Sequence, residues 1–226
     1  MYNANDLQLQ PDWFSSSELL IPARLEDHLR PLANHYQSDK KRIMAHFFFE
    51  SYAEVVTDLG VRSLVSSGSA LNLRLDRVLF QSNAKGFPIE AKAVAPHLRI
   101  EGDRETDSFA FVTALLTEHL YPVAQRLSEV SGAPYRALRQ FVLDGFARSI
   151  ATLADAGQLS SPKVMLQGLL LHTGVSERAW PRLLAPGEQG ASEWFVQRCS
   201  CCLSYRLPDK DHCGSCPRLP LEVRLS

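Results

Sequence analysis

From Ser38 to Leu59 apolar side chains return every three or four positions, at Ile43, Phe47, Phe48, Tyr52, Val55, Val56 and Leu59. This spacing predicts a helix with one face in a core, and Gly60 is the expected stop. The consecutive phenylalanines 47 to 49 read as packing rather than as an aromatic ligand platform. Between Gly68 and Pro96 the period falls to two: Leu71, Leu73 and Leu75 alternate with polar residues, "SNAKG" supplies a turn, and Phe87, Ile89, Ala91 and Ala93 resume the alternation. An antiparallel hairpin over about 68–96 is predicted, with a register shift near Val78 and Phe80. A lone hairpin is marginal, so it needs helices behind it or a third strand, for which Val61 to Val65 is the expected source.

The second half reads as helical. Thr106 or Asp107 caps a segment carrying Phe109, Val112, Leu115, Leu116, Leu120 and Leu127, with a kink or break expected at Pro122 because its ring clashes with the preceding turn. Tyr135, Leu138, Phe141, Val142, Phe146, Ile150 and Leu153 mark another amphipathic helix closed by Gly157, and a shorter one follows from about Ser161 to His172. "APGEQGAS", Ala185 to Ser192, reads as a linker or flexible approach. The fold class expected is α+β and predominantly helical: a helical body with a small antiparallel β-hairpin or sheet and a cysteine-rich C-terminal metal-binding tail. The body spans 1–190 and the tail 191–226.

Composition alters this picture little. The 226 residues are 45% hydrophobic and 22% charged, enough for a substantial core without cysteine bridges, and a net charge of -1 gives no electrostatic reason to expect nucleic acid. The opening residues lack a basic start, an apolar stretch and a small-residue cleavage site, so no signal peptide is read. No apolar run approaches the ~18 residues that would span a bilayer. A cytoplasmic protein is expected, and in a reducing compartment clustered thiols serve metal or redox chemistry rather than structural disulfides.

The seven histidines are scattered and form no His-Glu-x-x-His pair. His119 reads as a satisfied core or boundary residue. His212, just before Cys213, is the one histidine placed to tune or ligate a metal, although a solvated loop position suits it better. No phosphate loop and no G-x-S-x-G elbow is present, and the pairs Asp103 with Glu105 and Asp209 with Asp211 look like solvated charges.

All five cysteines fall in "RCSCCLSYRLPDKDHCGSC", Arg198 to Cys216. Cys213 and Cys216 form a C-x-x-C knuckle, in which Gly214 relaxes the turn that brings both sulfurs to one metal. A thioredoxin-like dithiol would sit at a helix start, whereas here Pro217 follows. Cys201 and Cys202 are adjacent, so both can serve one site only if the backbone turns there, since neighbouring side chains of an extended strand point to opposite faces. Structural zinc prefers two spaced knuckles, while a two-iron cluster offers two metal positions and accommodates unusual spacings. Both remain open, with iron–sulfur favoured.

Two adjacent cysteines, ten residues, a cysteine, two residues and a cysteine, with Arg198 before the pair and Leu203, Tyr205, Arg206, Leu207 and Pro208 after it, resemble the C-terminal signature of the FhuF-type ferric siderophore reductases. The resemblance implies a [2Fe-2S] cluster on Cys201, Cys202, Cys213 and Cys216, and no catalytic residue beyond these ligands. It further implies one-electron reduction of a ferric siderophore, of hydroxamate type, to release Fe(II) in the cytoplasm. No flavin or dinucleotide fingerprint is present, so an external ferredoxin or flavin reductase would supply the electron. A peripheral contact with the inner membrane is compatible with this. Cys199 departs from the signature as an incidental thiol or as a replacement for Cys201. Arg198, Arg206, Lys210 and Arg218 either stabilise added negative charge or are solvated. Two rivals stand beside the reductase: a structural four-cysteine zinc protein acting as a binding module, and an iron–sulfur sensor or electron carrier without siderophore substrate.

Overall fold

The computed structural model describes residues 13–68, 71–94 and 104–225. Its centre is a pair of long helices, α2 (Lys41–Ser67) and α5 (Tyr135–Asp155), packed along each other. Residues 43 to 49 of α2 are buried without a break, because α2 is covered on several sides rather than along one stripe. Phe47, Phe48 and Phe49 are core, as their spacing predicts.

Gly60 does not stop α2. A Cβ there would lie 2.4 Å from Cζ of Phe111, so the glycine serves close packing, and α2 runs seven residues further to Gly68, whose left-handed backbone (φ 63°) ends it. Gly145 of α5 plays a similar part: a Cβ would meet Thr57 Oγ1 at 2.6 Å, which lets α5 approach α2 closely.

Val61 to Val65 are therefore helical, and the third strand comes from elsewhere. β1 (Trp13–Ser15) pairs antiparallel with β2 (Val78–Ser82), which pairs with β3 (Pro88–Ala93), giving the order β1-β2-β3 with a register shift between Gln81 and Ser82. The alternating leucines 71 to 75 precede the hairpin as a loop ending in a short 3-10 turn (Leu75–Arg77). Leu73 and Leu75 are buried all the same, so the alternation reports burial and not a strand. α1 (Pro22–His35), with proline at its first position, packs on α2.

α3 (Arg104–Leu115), a π-helical turn (Leu116–Leu120) and α4 (Tyr121–Ser131) follow one another without interruption. The expected cap at Thr106 or Asp107 lies among side chains outside the described set. No break occurs at Pro122, because the wider π turn precedes it and absorbs the missing N–H and the ring. His119, in that turn, is fully buried: its Nδ1–H donates to the Leu73 carbonyl and its Nε2 accepts from the Tyr52 hydroxyl at 2.6 Å.

α6 (Pro162–Leu171) leads to β4 (Arg182–Leu184), which pairs antiparallel with β5 (Phe195–Gln197). The stretch 185–192, expected as a linker, is the turn of this second hairpin: Gly187 N–H bonds Ala191 O at 2.8 Å, and Glu188 accepts from Ala185 N–H and pairs with Lys163. β4 and β5 pack on α5 and deliver the chain to Arg198. A short helix, α7 (Leu221–Leu225), follows the thiols. The protein is thus helix-dominated α+β, and no helix among the described residues is long and apolar enough to cross a membrane.

Candidate metal centre

After β5 the chain runs along α5 and meets one side chain that the sequence does not flag. Asp144 sits on the buried face of α5 among Phe141, Val142, Leu143 and Phe146, with a side chain 3% exposed. Its Oδ1 accepts from the Cys199 N–H at 2.9 Å and from the Cys199 thiol at 3.3 Å, and its Oδ2 accepts from the Ser200 N–H at 3.0 Å and from the Ser200 hydroxyl.

Arg198 is not a solvated charge. Its guanidinium, also 3% exposed, donates through Nε to Asp144 Oδ2 at 3.4 Å and through Nη2 to Glu50 Oε1 at 2.7 Å and Ser200 Oγ at 3.1 Å. Nη1 reaches Ser215 Oγ, inside the C-x-x-C knuckle, at 3.3 Å. Glu50 is shared with Arg148 at 2.8 Å, and Arg148 also pairs with Glu54. A chain of alternating charges thus runs from α5 across α2 to the thiols; such groups are tolerated in an interior only when paired in this way.

The adjacent pair turns as both thiols require. Leu203 has φ 64°, uncommon for a bulky residue, and begins a 3-10 turn (Ser204–Arg206) whose last carbonyl accepts from Lys40 Nζ at 2.7 Å. The Cys201 carbonyl accepts from Nδ1–H of buried His46 on α2 at 3.0 Å, another contact with no sequence signal. At the knuckle, Cys216 N–H bonds Cys213 O at 2.9 Å. Gly214 is not left-handed, and a Cβ there would meet nothing within 4 Å, so the turn does not require glycine.

The thiols lie near one another. Cys202 Sγ lies 3.6 Å from Cys213 Sγ, and Cys216 is near enough to the Cys201 thiol to help raise it. Among the described residues no group of three or more His, Cys, Asp or Glu side chains could hold a single metal ion. Four neighbouring thiols on this segment match the four-cysteine ligand set of a [2Fe-2S] group. Burial, with Cys202 close by, pushes the Cys213 thiol up to about 12, and burial and Cys216 also raise Cys201. Bound cations reverse that cost by deprotonating coordinating thiols. Cys199 differs: burial and the Asp144 carboxylate hold it strongly protonated, as a donor.

Cys202 and Cys213 also face an open cavity of about 410 Å³, walled by Tyr36, Phe47 and Phe87 and rimmed by Lys210. Ser51, Glu54, Phe87 and Arg148 line both this cavity and a second one of about 630 Å³ between α2, α5 and β3, so the two form one trough leading to the thiols. His212 lies outside it, stacked on Tyr205 at 4.6 Å, while Arg218 and Arg206 lie near the same ring.

No curated protein matches the chain. Residues 198–218 match the family model described as the FhuF 2Fe-2S C-terminal domain, so the segment seated on Asp144 and Glu50 is similar to the [2Fe-2S]-binding end of FhuF-type proteins.

Proposed function

We propose that the protein is a ferric siderophore reductase that passes one electron to the Fe(III) of a hydroxamate-type chelate and releases Fe(II) in the cytoplasm. The observation that carries this reading is the position of Cys202 and Cys213 on the wall of an open trough, in a segment similar to a [2Fe-2S] domain. Cys201, Cys202, Cys213 and Cys216 would hold the cluster, in the pairs Cys202 with Cys213 and Cys201 with Cys216. When bound, a thiolate-held [2Fe-2S] centre supplies one electron at a time.

The chain supplies no acid, base or nucleophile, and none is needed. Fe(III) takes up one electron from outside the chelate and no covalent bond of its organic backbone breaks; the hydroxamate oxygens freed when Fe(II) departs take up protons from the solvent. The larger, less charged Fe(II) is held weakly by hard oxygen donors and leaves. An external one-electron donor, a ferredoxin or flavin reductase, restores the protein.

The trough's part is to bind and orient the chelate. Tyr36, Phe47 and Phe87 offer apolar faces to its organic backbone, and Glu50, Glu54, Arg148 and Arg198 neutralise one another as ion pairs. Lys210 forms no ion pair among the described residues; its ammonium, 5.9 Å from the Tyr36 ring, is placed to meet chelate oxygens. A lining with little net charge matches an uncharged ferric trihydroxamate.

Anaerobic purification should give a red-brown protein with about two irons and two acid-labile sulfides per chain. Dithionite-reduced protein mixed with a ferric trihydroxamate and a ferrous-specific chelator should be reoxidised as the ferrous complex forms. A colourless zinc protein would establish the structural rival, and a reduced protein that no ferric chelate reoxidises would establish the carrier without siderophore substrate.

A further inference from the structure

We infer that Arg198 and Asp144 are positioning residues that lock the adjacent cysteines and the C-x-x-C knuckle into one frame through the hydroxyls of Ser200 and Ser215. This rests on the ligand set proposed above and goes beyond it, because neither residue is a ligand and both act through other side chains.

Cys202 and Cys213 are eleven positions apart, and the loop between them is largely exposed, so their approach needs a fastening other than the loop. That fastening is anchored in the body. Both Asp144 oxygens are occupied, each by the backbone N–H of one of two successive residues just before the pair. Arg198 then bridges to the other half of the ligand set. The same planar group touches Asp144 on α5, Glu50 on α2, Ser200 before the pair and Ser215 within the knuckle. Lysine carries the charge but not the fork, and a single ammonium on a flexible stem cannot keep four partners in these directions. Ser215 is the only residue of the knuckle that Arg198 bonds among the described residues, so this hydroxyl carries the coupling. None of these contacts involves a sulfur of the proposed ligands, so they hold the thiols in place independently of metal.

The test is a double-mutant cycle on the full chain with Arg198→Lys and Ser215→Ala. Far-UV circular dichroism reports the fold; transfer of iron to a strong chelator, the midpoint potential and visible circular dichroism report the centre. Each single variant should keep the helical signal, release iron about ten- to a hundredfold faster, and shift both the potential and the visible bands. The double variant should be no worse than Arg198→Lys alone, since both changes cut the same link. In protein stripped of metal, iodoacetamide should label Cys213 and Cys216 faster in either variant than in the unaltered chain. Should Arg198→Lys unfold the protein, Ser215→Ala, which alters no charge, still decides the question. Iron release, potential and labelling all within about twofold of the unaltered chain, or effects that simply add, would overturn the assignment. Labelling needs no metal, so a chain that binds no iron and sulfide would refute the proposed function while the labelling result still judged the clamp.

Discussion

Cys199 shows how little the residue type says without its partner. Five thiols share one short stretch, yet the one beside Asp144 is a protonated donor, while Cys202 and Cys213 meet each other and Cys216 lies near Cys201. Serine can donate to Asp144 as the thiol does, so Cys199→Ser should keep the visible absorbance of the loaded protein. Serine at Cys201, Cys202, Cys213 or Cys216 should abolish or destabilise it; bleaching of the Cys199 variant would reverse the assignment. The cysteine spacing is legible in the sequence because it is local. Asp144, Glu50 and His46 are not, because each meets the thiol segment only through folding; the one available signal is a lone carboxylate among the apolar residues 141 to 146. His119, expected at the core or its boundary, is fully buried, and its bonds give a pH prediction. Burial pushes it down to about 4 from an ordinary 6.5, so the folded state resists its protonation. Above pH 6.5 both states are neutral there and its contribution is complete. As the pH falls towards 4 the unfolded chain takes up the proton first, and about 3 kcal/mol of stability is lost. Burial lowers His28 and His46 as well, so they act in the same direction. In urea titrations across that window, His119→Gln should have a shallower acid limb than the unaltered protein; an unchanged limb would remove His119 as its cause.

At the scale of elements, the helices were legible wherever one apolar face repeats, as in α5 and α6. Sequence periodicity failed where packing overrode it. Gly60 looks like a terminator but is a contact point for Phe111, and leucines 71 to 75 alternate without forming a ladder. β1 is only three residues long and lies far from its partner in sequence, so no pattern could announce it. Gly145 matters most for the centre, since it sets the approach of α5 to α2 beside Asp144. Gly145→Ala would press a methyl against Thr57 Oγ1 and should cost about 1–3 kcal/mol, seen as a lower urea midpoint at unchanged slope. A change within error would mean that Thr57 yields freely.

For the whole molecule, the trough ties the fold to the chemistry, because its walls come from Tyr36 just after α1, α2, the β2–β3 hairpin, α5 and the thiol segment together. Replacing Phe87, which lines both of its parts, with alanine should weaken chelate binding while leaving the iron content intact. The check is titration with a redox-inert gallium trihydroxamate, and an unchanged affinity would remove Phe87 from the binding surface. The seat of the centre also has a direction in time. Glu50 and Asp144 precede every thiol in the chain, and proteins fold from the N-terminus as they are synthesised. A nascent chain can therefore finish the α2–α5 pair before the first cysteine emerges. The thiols then dock on a prepared surface and spend little time exposed to stray oxidants or the wrong ion.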